Sequence, residues 1–277
     1  MIAPSPHAYW QHLGRDDVAA LDPSDSVALL PVSAIEQHGP HLPLGTDALI
    51  SAGVIRAMLP LVRPPARVLV LPALEIGDSL EHTNHPGTLS SDVGTLLELW
   101  LQVGAGVAAA GLRKLIIFNT HGGQKPHVDL AAVRLRAAHG LLVVRANSGA
   151  LGKPEGLFDP QEREFGLHGG DVETSLLLHL HPQLVRMERA TDFVSHGQAL
   201  ASAGGPLGIE KPVGIGWMAE DLHPEGVCGN ASVASADKGA RLLEHMARAL
   251  ARVCEQAAAT DWPPGPRGAA RSRPEYG

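Results

Sequence analysis

Side chains that can bind metals or move protons are concentrated in three short segments of this chain. The candidates are Glu36, His38 and Asp47 in the segment EQHGPHLPLGTD, His121 in NTHGGQ, and His168, Asp171 and Glu173 in HGGDVET. Carboxylates and imidazoles without cysteine suit borderline-hard divalent ions such as Zn²⁺ and Mn²⁺. The three segments together offer enough ligands for two ions if one carboxylate bridges them, and such pairs commonly activate water for hydrolysis.

Each segment taken alone also has a purely structural interpretation. Glu36 and His38 lie two residues apart, so they would point the same way in an extended segment, but they would also suit a surface turn. Asp47 would stabilise a helix start without binding anything, and His121 would suit a hydrogen-bonded turn. The charges of the third segment would likewise suit a helix start. The metal interpretation is favoured because all three segments follow strands or begin helices.

The elements that position these segments are visible as apolar runs of strand length alternating with helical patterns. The sequence predicts strands at 27–35, 68–74, 115–118 and 141–146, and helices at 47–58, 126–138, 172–180 and 236–256. A further long helix is expected to begin at a cap formed by Ser90 or Ser91 and to end near Gly111. This alternation predicts an α/β fold with a mostly parallel sheet, in which ligand sites lie at the carboxyl ends of the strands.

Composition excludes several classes of function. The 277 residues include 22 lysines and arginines against 29 aspartates and glutamates, a net charge of −7, which argues against nucleic-acid binding. Two cysteines cannot build a disulfide framework or a thiolate zinc cluster. The first residues do not resemble a signal peptide, and the apolar stretch 93–112 is interrupted by polar residues. We therefore expect a cytoplasmic protein that binds no membrane.

A single domain over residues 1–262 is expected, because no internal repeat or linker divides the alternating pattern. Two segments, 149–166 and 195–230, are rich in glycine, proline and polar residues, which is typical of long surface loops near a site. The last segment, 263–277, is rich in proline, glycine and arginine and is expected to be disordered.

Four ordered segments resemble the creatininase (creatinine amidohydrolase-like) family. The segment 31–47, HPGTLS at 85–90, and the segments 119–124 and 168–174 match the family's blocks in the same order, and the resemblance covers about 27–249. It implies a three-layer α/β sandwich with a mostly parallel central sheet, usually assembled as a homohexamer. It also implies two divalent metal ions, Zn²⁺ or Mn²⁺ with Fe²⁺ as a further candidate, and hydrolysis of C–N bonds in small cyclic or linear amides.

The resemblance also assigns roles to individual residues. The residues that match the family's metal ligands are Glu36, His38, Asp47 and His121, with Asp47 as the bridging carboxylate. Creatininases proper place a glutamate where this chain has Gly123, so the pattern of other members assigns the fifth ligand to Asp171. His168 matches the catalytic histidine that protonates the leaving nitrogen. Glu173 matches a shared position as an acid/base group or as a group that supports the ligands, and Glu81, His82 and His85 are candidates for the pocket lining from family position alone.

These assignments predict a metal-dependent amidohydrolase that acts on a small-molecule amide, a C–N bond other than a peptide bond. Creatininases proper carry tryptophans on a flap, whereas this chain has none between residues 101 and 216, which disfavours creatinine. Related branches include a formamide hydrolase and a peptidase of mycofactocin maturation, and no residue selects either. Two alternatives remain: a hydrolase or isomerase of a cyclic ketone or lactone, and a non-catalytic metal-binding oligomer.

Overall fold

A five-stranded parallel sheet forms the centre of the computed structural model, which describes residues 7–262. The strands of this sheet are β1 (Ala8–Tyr9), β2 (Ser26–Val32), β3 (Arg67–Val70), β4 (Lys114–Asn119) and β5 (Leu142–Asn147). They are arranged in the order β1-β3-β2-β4-β5, and every neighbouring pair is parallel. A separate antiparallel pair joins β6 (Asp192–Phe193) to β7 (Gly229–Asn230).

Helices cover both faces of the sheet. They are α1 (Arg15–Ala19), α2 (Thr46–Met58), α3 (Val93–Ala109), α4 (Lys125–His139), α5 (Pro160–Phe165), α6 (Asp171–Leu180), α7 (His196–Ser202), α8 (Ala219–Leu222) and α9 (Ala236–Ala259). Alternate residues of β2 enter different cores: Val27 and Leu29 pack with α2, α6 and α9, whereas Ala28 and Leu30 pack with α3 and α4. The predicted three-layer α/β sandwich is therefore confirmed.

The boundaries of several elements differ from those predicted from the sequence. The cap of α3 is Asp92, whose carboxylate accepts a hydrogen bond of 3.1 Å from the backbone N–H of Thr95, so the prediction of Ser90 or Ser91 was wrong. Short helices α5, α7 and α8 form within segments predicted as loops. Apolar periodicity cannot reveal helices of four to seven residues, because they span no more than two turns. The predicted disorder of 263–277 falls outside the described residues.

The connections of β2 and β4 diverge at their carboxyl ends. The chain leaves β2 through α2 and returns in β3 on one side, whereas it leaves β4 through α4 and returns in β5 on the other. Adjacent strands with diverging connections leave a crevice at the carboxyl edge, where α/β proteins bind ligands. No helix within residues 7–262 has both the length and the hydropathy needed to cross a membrane.

Helices α6 and α9 approach each other closely at Gly239. A Cβ at this position would overlap the backbone carbonyl oxygen of Ser175 and lie 2.9 Å from the Cβ of His179. The close approach matters for the carboxyl edge of the sheet, because α6 begins at Asp171 and includes Glu173.

Gly239→Ala is expected to lower the free energy of unfolding by about 1–3 kcal/mol, because the added methyl group must push two packed helices apart. Gly106→Ala in α3 is the matched control, since no described residue outside its own stretch of helix places an atom within 4 Å of the added Cβ. It is expected to raise the free energy of unfolding by about 0.5–1 kcal/mol, because alanine favours the helix. Denaturant unfolding monitored by circular dichroism measures both. A Gly239→Ala protein as stable as the parent would contradict the packing argument.

Candidate metal centre

The first segment folds back on itself just beyond β2. The backbone N–H of Glu36 donates a hydrogen bond of 3.0 Å to the carbonyl oxygen of Leu44, which closes the loop. Helix α2 begins immediately afterwards, so Asp47 lies in its first turn. This position brings the Asp47 carboxylate close to that of Glu36. Both carboxylates are buried, and the N-terminus of the helix favours the ionised form of Asp47.

His38 is oriented by its own segment. Its Nδ1 donates to the backbone carbonyl oxygen of Glu36 over 3.1 Å, a bond that requires a hydrogen on Nδ1. The other nitrogen, Nε2, faces Asp47 Oδ1 at 3.5 Å and Glu173 Oε2 at 3.9 Å. A ring held in this way presents its Nε2 lone pair to a ligand between the two carboxylates.

His121 is oriented by the same principle after β4. Its Nε2 donates to the backbone carbonyl oxygen of Asp78 over 2.9 Å. Its Nδ1 lies 3.1 Å from Glu36 Oε2 and 3.5 Å from Asp47 Oδ2. The loops after the adjacent strands β2 and β4 thus bring their polar side chains together in the crevice.

Three groups of side chains have ligand atoms within 4.8 Å of one another. The groups are Glu36 with Asp47 and His121, His38 with Asp47 and Glu173, and Glu36 with His38 and His168. The first two groups share Asp47. His38 Nε2 and Asp47 Oδ2 are buried and have no hydrogen-bond partner among residues 7–262, which is rare for polar atoms in a folded protein. These residues therefore fit divalent cations in both the chemistry and the orientation of their donor atoms.

The pKa values show that the cluster attracts positive charge. Burial lowers the pKa of His38, but the carboxylates of Asp47 and Glu173 outweigh burial and raise it to about 9. The pKa of His121 is also raised, since Glu36 and Asp47 outweigh its burial. For Asp47, burial raises the pKa, but the two histidines lower it below its usual range. Without a metal ion, protons on the histidines therefore neutralise the buried carboxylates.

His168 lies beside this cluster as a neutral base. Its Nε2 donates to the backbone carbonyl oxygen of Gln37 over 2.7 Å, which leaves Nδ1 free at 3.7 Å from Glu36 Oε1. Burial, followed by the charge of His38, lowers the pKa of His168 to about 4. The Gln37 side chain also donates to His82 Nδ1 over 2.8 Å, and the His82 ring packs against that of His168.

Asp171 and Glu173 point in different directions although both lie in the first turn of α6. Residues two positions apart on a helix are separated by about 200° of rotation, so only one of the two can face the crevice. Glu173 faces His38, whereas Asp171 accepts hydrogen bonds from Lys238 Nζ at 2.5 Å and from Ser175 Oγ at 2.8 Å. The structure thus brings six of the seven candidate residues together and places Asp171 with α9.

Five of these six residues, all except His38, line the floor of a cavity of about 610 Å³. Its walls include Leu80 and Glu81, the start of α4 at Lys125, and Trp217 with Met218. The last two were not identified from the sequence, because their place in the wall depends on the path of a long loop. That loop lies within the segment 195–230, which was expected to approach the site.

Comparison with known proteins identifies the family of this chain. Residues 11–254 match the family described as Creatininase, creatinine amidohydrolase. The chain is 31% identical over 264 residues to the mycofactocin precursor peptide peptidase of Mycobacterium ulcerans (strain Agy99), covering 92% of this chain and 93% of that protein. It is 30% identical over 244 residues to the creatinine amidohydrolase of Pseudomonas putida, covering 82% and 88%.

A solved structure described as "Creatininase Mn" has the same fold. Its TM-score with this chain is 0.70 at 26% sequence identity, and the match covers 90% of this chain and 97% of that one. The family match spans nearly the whole described chain, and the relatives are hydrolases. This chain is a hydrolase that belongs to the creatininase family.

Proposed function

We propose that this protein is a metal-dependent amidohydrolase that cleaves a C–N bond of a small cyclic or linear amide. The observation that carries the proposal is the pair of ligand groups sharing Asp47, with the free Nδ1 of His168 beside them on the floor of a cavity. The relatives support hydrolysis but differ in substrate, since one is named for a peptide and another for creatinine. A panel of substrates is therefore needed to define the class of amide.

In this proposal Glu36, Asp47 and His121 hold one ion, and His38, Asp47 and Glu173 hold the second. Glu173 serves as a ligand rather than as an acid/base group, because its carboxylate faces Nε2 of His38. Zn²⁺ and Mn²⁺ suit this donor set, and Fe²⁺ is a further candidate. When bound, the ions supply Lewis acidity toward the amide carbonyl and activate water for attack.

His168 moves the proton. Because its Nε2–H is held by the carbonyl oxygen of Gln37, only Nδ1 can exchange protons with the substrate side. With its pKa lowered to about 4, the ring is neutral near pH 7, so Nδ1 can accept a proton from the attacking water. Nδ1 then donates this proton to the departing nitrogen, which completes the cleavage.

Metal content tests the ligand assignment. The parent protein is expected to hold about two divalent ions per chain, and Glu173→Gln to hold about one, because an amide is a poor substitute for a carboxylate ligand. Asp171→Asn is the matched control and is expected to keep both ions, since its carboxylate pairs with Lys238. Plasma mass spectrometry on folded, desalted protein measures all three. Metal loss in Asp171→Asn with full retention in Glu173→Gln would reverse the assignment.

Turnover tests the role of His168. In His168→Gln the amide nitrogen can replace Nε2 as the donor to Gln37, while the base at Nδ1 is lost. We expect kcat to fall about 10²- to 10⁴-fold with unchanged metal content. The panel contains creatinine, short peptides, linear amides, lactones and cyclic ketones. Turnover of lactones or ketones alone would support the alternative chemistry, and metal binding without any turnover would support a non-catalytic role.

The raised pKa values predict how metal affinity depends on pH. At pH 7 His38 is protonated in the metal-free protein, because its pKa is raised to about 9. Metal must displace that proton, so the apparent affinity is expected to fall about tenfold per pH unit for each proton released as pH decreases from 8.5 to 6.5. Calorimetric Zn²⁺ titrations in buffers of different ionisation enthalpy count the protons. An affinity independent of pH would exclude His38 and His121 as ligands.

The homohexamer implied by the family resemblance and the cytoplasmic location expected from the composition and the first residues remain predictions.

A further inference from the structure

Glu81 is a carboxylate in the cavity wall that the proposed chemistry does not use. Its Oε1 lies 3.5 Å from His121 Nε2 and 3.9 Å from His82 Nε2, both beyond a good hydrogen bond. His121 Nε2 already donates to the carbonyl oxygen of Asp78 at 2.9 Å, so it does not satisfy Glu81 as well. The side chain is only 16% exposed. Glu81 is therefore a largely buried hydrogen-bond acceptor that faces the cavity and has few hydrogen-bond donors near it.

Gly123 provides the space that this carboxylate occupies. A Cβ on Gly123 would overlap Glu81 Oε1 and would lie 2.7 Å from His121 Nε2. The adjacent Gly122 differs, because beyond its two chain neighbours an added Cβ there meets no atom of the described residues within 4 Å. The absence of a side chain at Gly123 therefore leaves room for the Glu81 carboxylate beside the His121 ring.

The mouth of the cavity favours a positive charge on its occupant. Among the described residues that line the cavity beyond the candidate ligands, the carboxylates are Asp78, Glu81 and Glu210, and the permanent cation is Lys125. Asp78 Oδ2 accepts a hydrogen bond of 3.0 Å from His127 Nε2, and Glu210 Oε1 accepts one of 3.2 Å from Trp217 Nε1. Glu81 has no comparably close side-chain donor in the described part of the chain: its own backbone N–H donates to the carboxylate, and the nearest imidazole nitrogen, His121 Nε2, lies 3.5 Å away. Glu81 lies beside the Nε2 edge of the His121 ring. The opposite edge of that ring, at Nδ1, faces Glu36 and Asp47.

We propose that Glu81 is a specificity-determining residue that binds a cationic amino group close to the scissile amide, and that Gly123 keeps its position open. The inference rests on the proposed function, because it places the amide carbonyl at the floor of the cavity. It names the substrate class as amino-substituted amides, such as amino-acid amides and short peptides with a free amino group.

Two hydroxamates that differ by one amino group test the inference without turnover. Leucine hydroxamate carries the α-amino group and 4-methylpentanohydroxamate lacks it, and calorimetry measures the binding of each to zinc-loaded protein. The parent is expected to bind the amine-bearing probe about 10- to 100-fold more tightly, the range expected for a hydrogen bond to a charged group. Glu81→Gln is expected to abolish this preference while metal content stays unchanged.

Two glycine variants test whether the position of the Glu81 carboxylate matters as well as its presence. Gly123→Ala retains the carboxylate but displaces it, so it is expected to reduce the preference as Glu81→Gln does. Gly122→Ala is the matched control and is expected to bind both probes as the parent does. A preference that survives in Glu81→Gln would overturn the inference, as would loss of metal in that variant, which would make Glu81 a support for His121. Absence of binding of either probe to the parent would contradict the proposed function itself.

Discussion

The crevice at the carboxyl edge of the sheet holds three carboxylates, of which Glu36 and Asp47 are buried and Glu173 is 22% exposed. Glu36, Asp47 and Glu173 face a common space, and negative charges in a protein interior are tolerated only when cations neutralise them. His38 and His121 supply that charge when protonated, which is why both have raised pKa values. A divalent ion can replace those protons, and it would satisfy the orphaned atoms His38 Nε2 and Asp47 Oδ2.

The surrounding backbone holds this arrangement in place. Carbonyl oxygens of Glu36, Asp78 and Gln37 each accept from one nitrogen of a histidine, and each bond leaves the other nitrogen facing the cluster. Preorganised rings lose little rotational freedom when they bind a ligand, because the entropy of these side chains has already been lost on folding. The third segment is joined to the first by His41 and Val227. His41 bonds to the carbonyl oxygen of Gly169, and the Val227 side chain packs against the positive-φ glycines 39 and 169.

Much of the architecture was predictable, because local patterns determine it. Apolar runs and turn residues predicted the four longer strands and five longer helices, and polar segments after strands predicted the carboxyl edge as the site. Spacing could not predict which of Asp171 and Glu173 faces the crevice, because this depends on the rotation of α6 about its axis. Lys238, which pairs with Asp171, lies more than sixty positions away in α9. Sequence neighbours cannot report which face of a helix meets such a partner.

The floor and the mouth of the cavity follow different physical constraints. On the floor, the candidate ligand atoms lie within 4.8 Å of one another, and few substitutions preserve such a geometry. The mouth is built from separate segments that carry Glu81, Lys125 and Trp217, and each can change without moving a ligand. A hydrolase with this division can keep its bond-breaking chemistry while its substrate changes. That is consistent with relatives of similar identity being named for a precursor peptide and for creatinine. In this chain Gly123 leaves space for the carboxylate of Glu81, which lies where the floor meets the mouth.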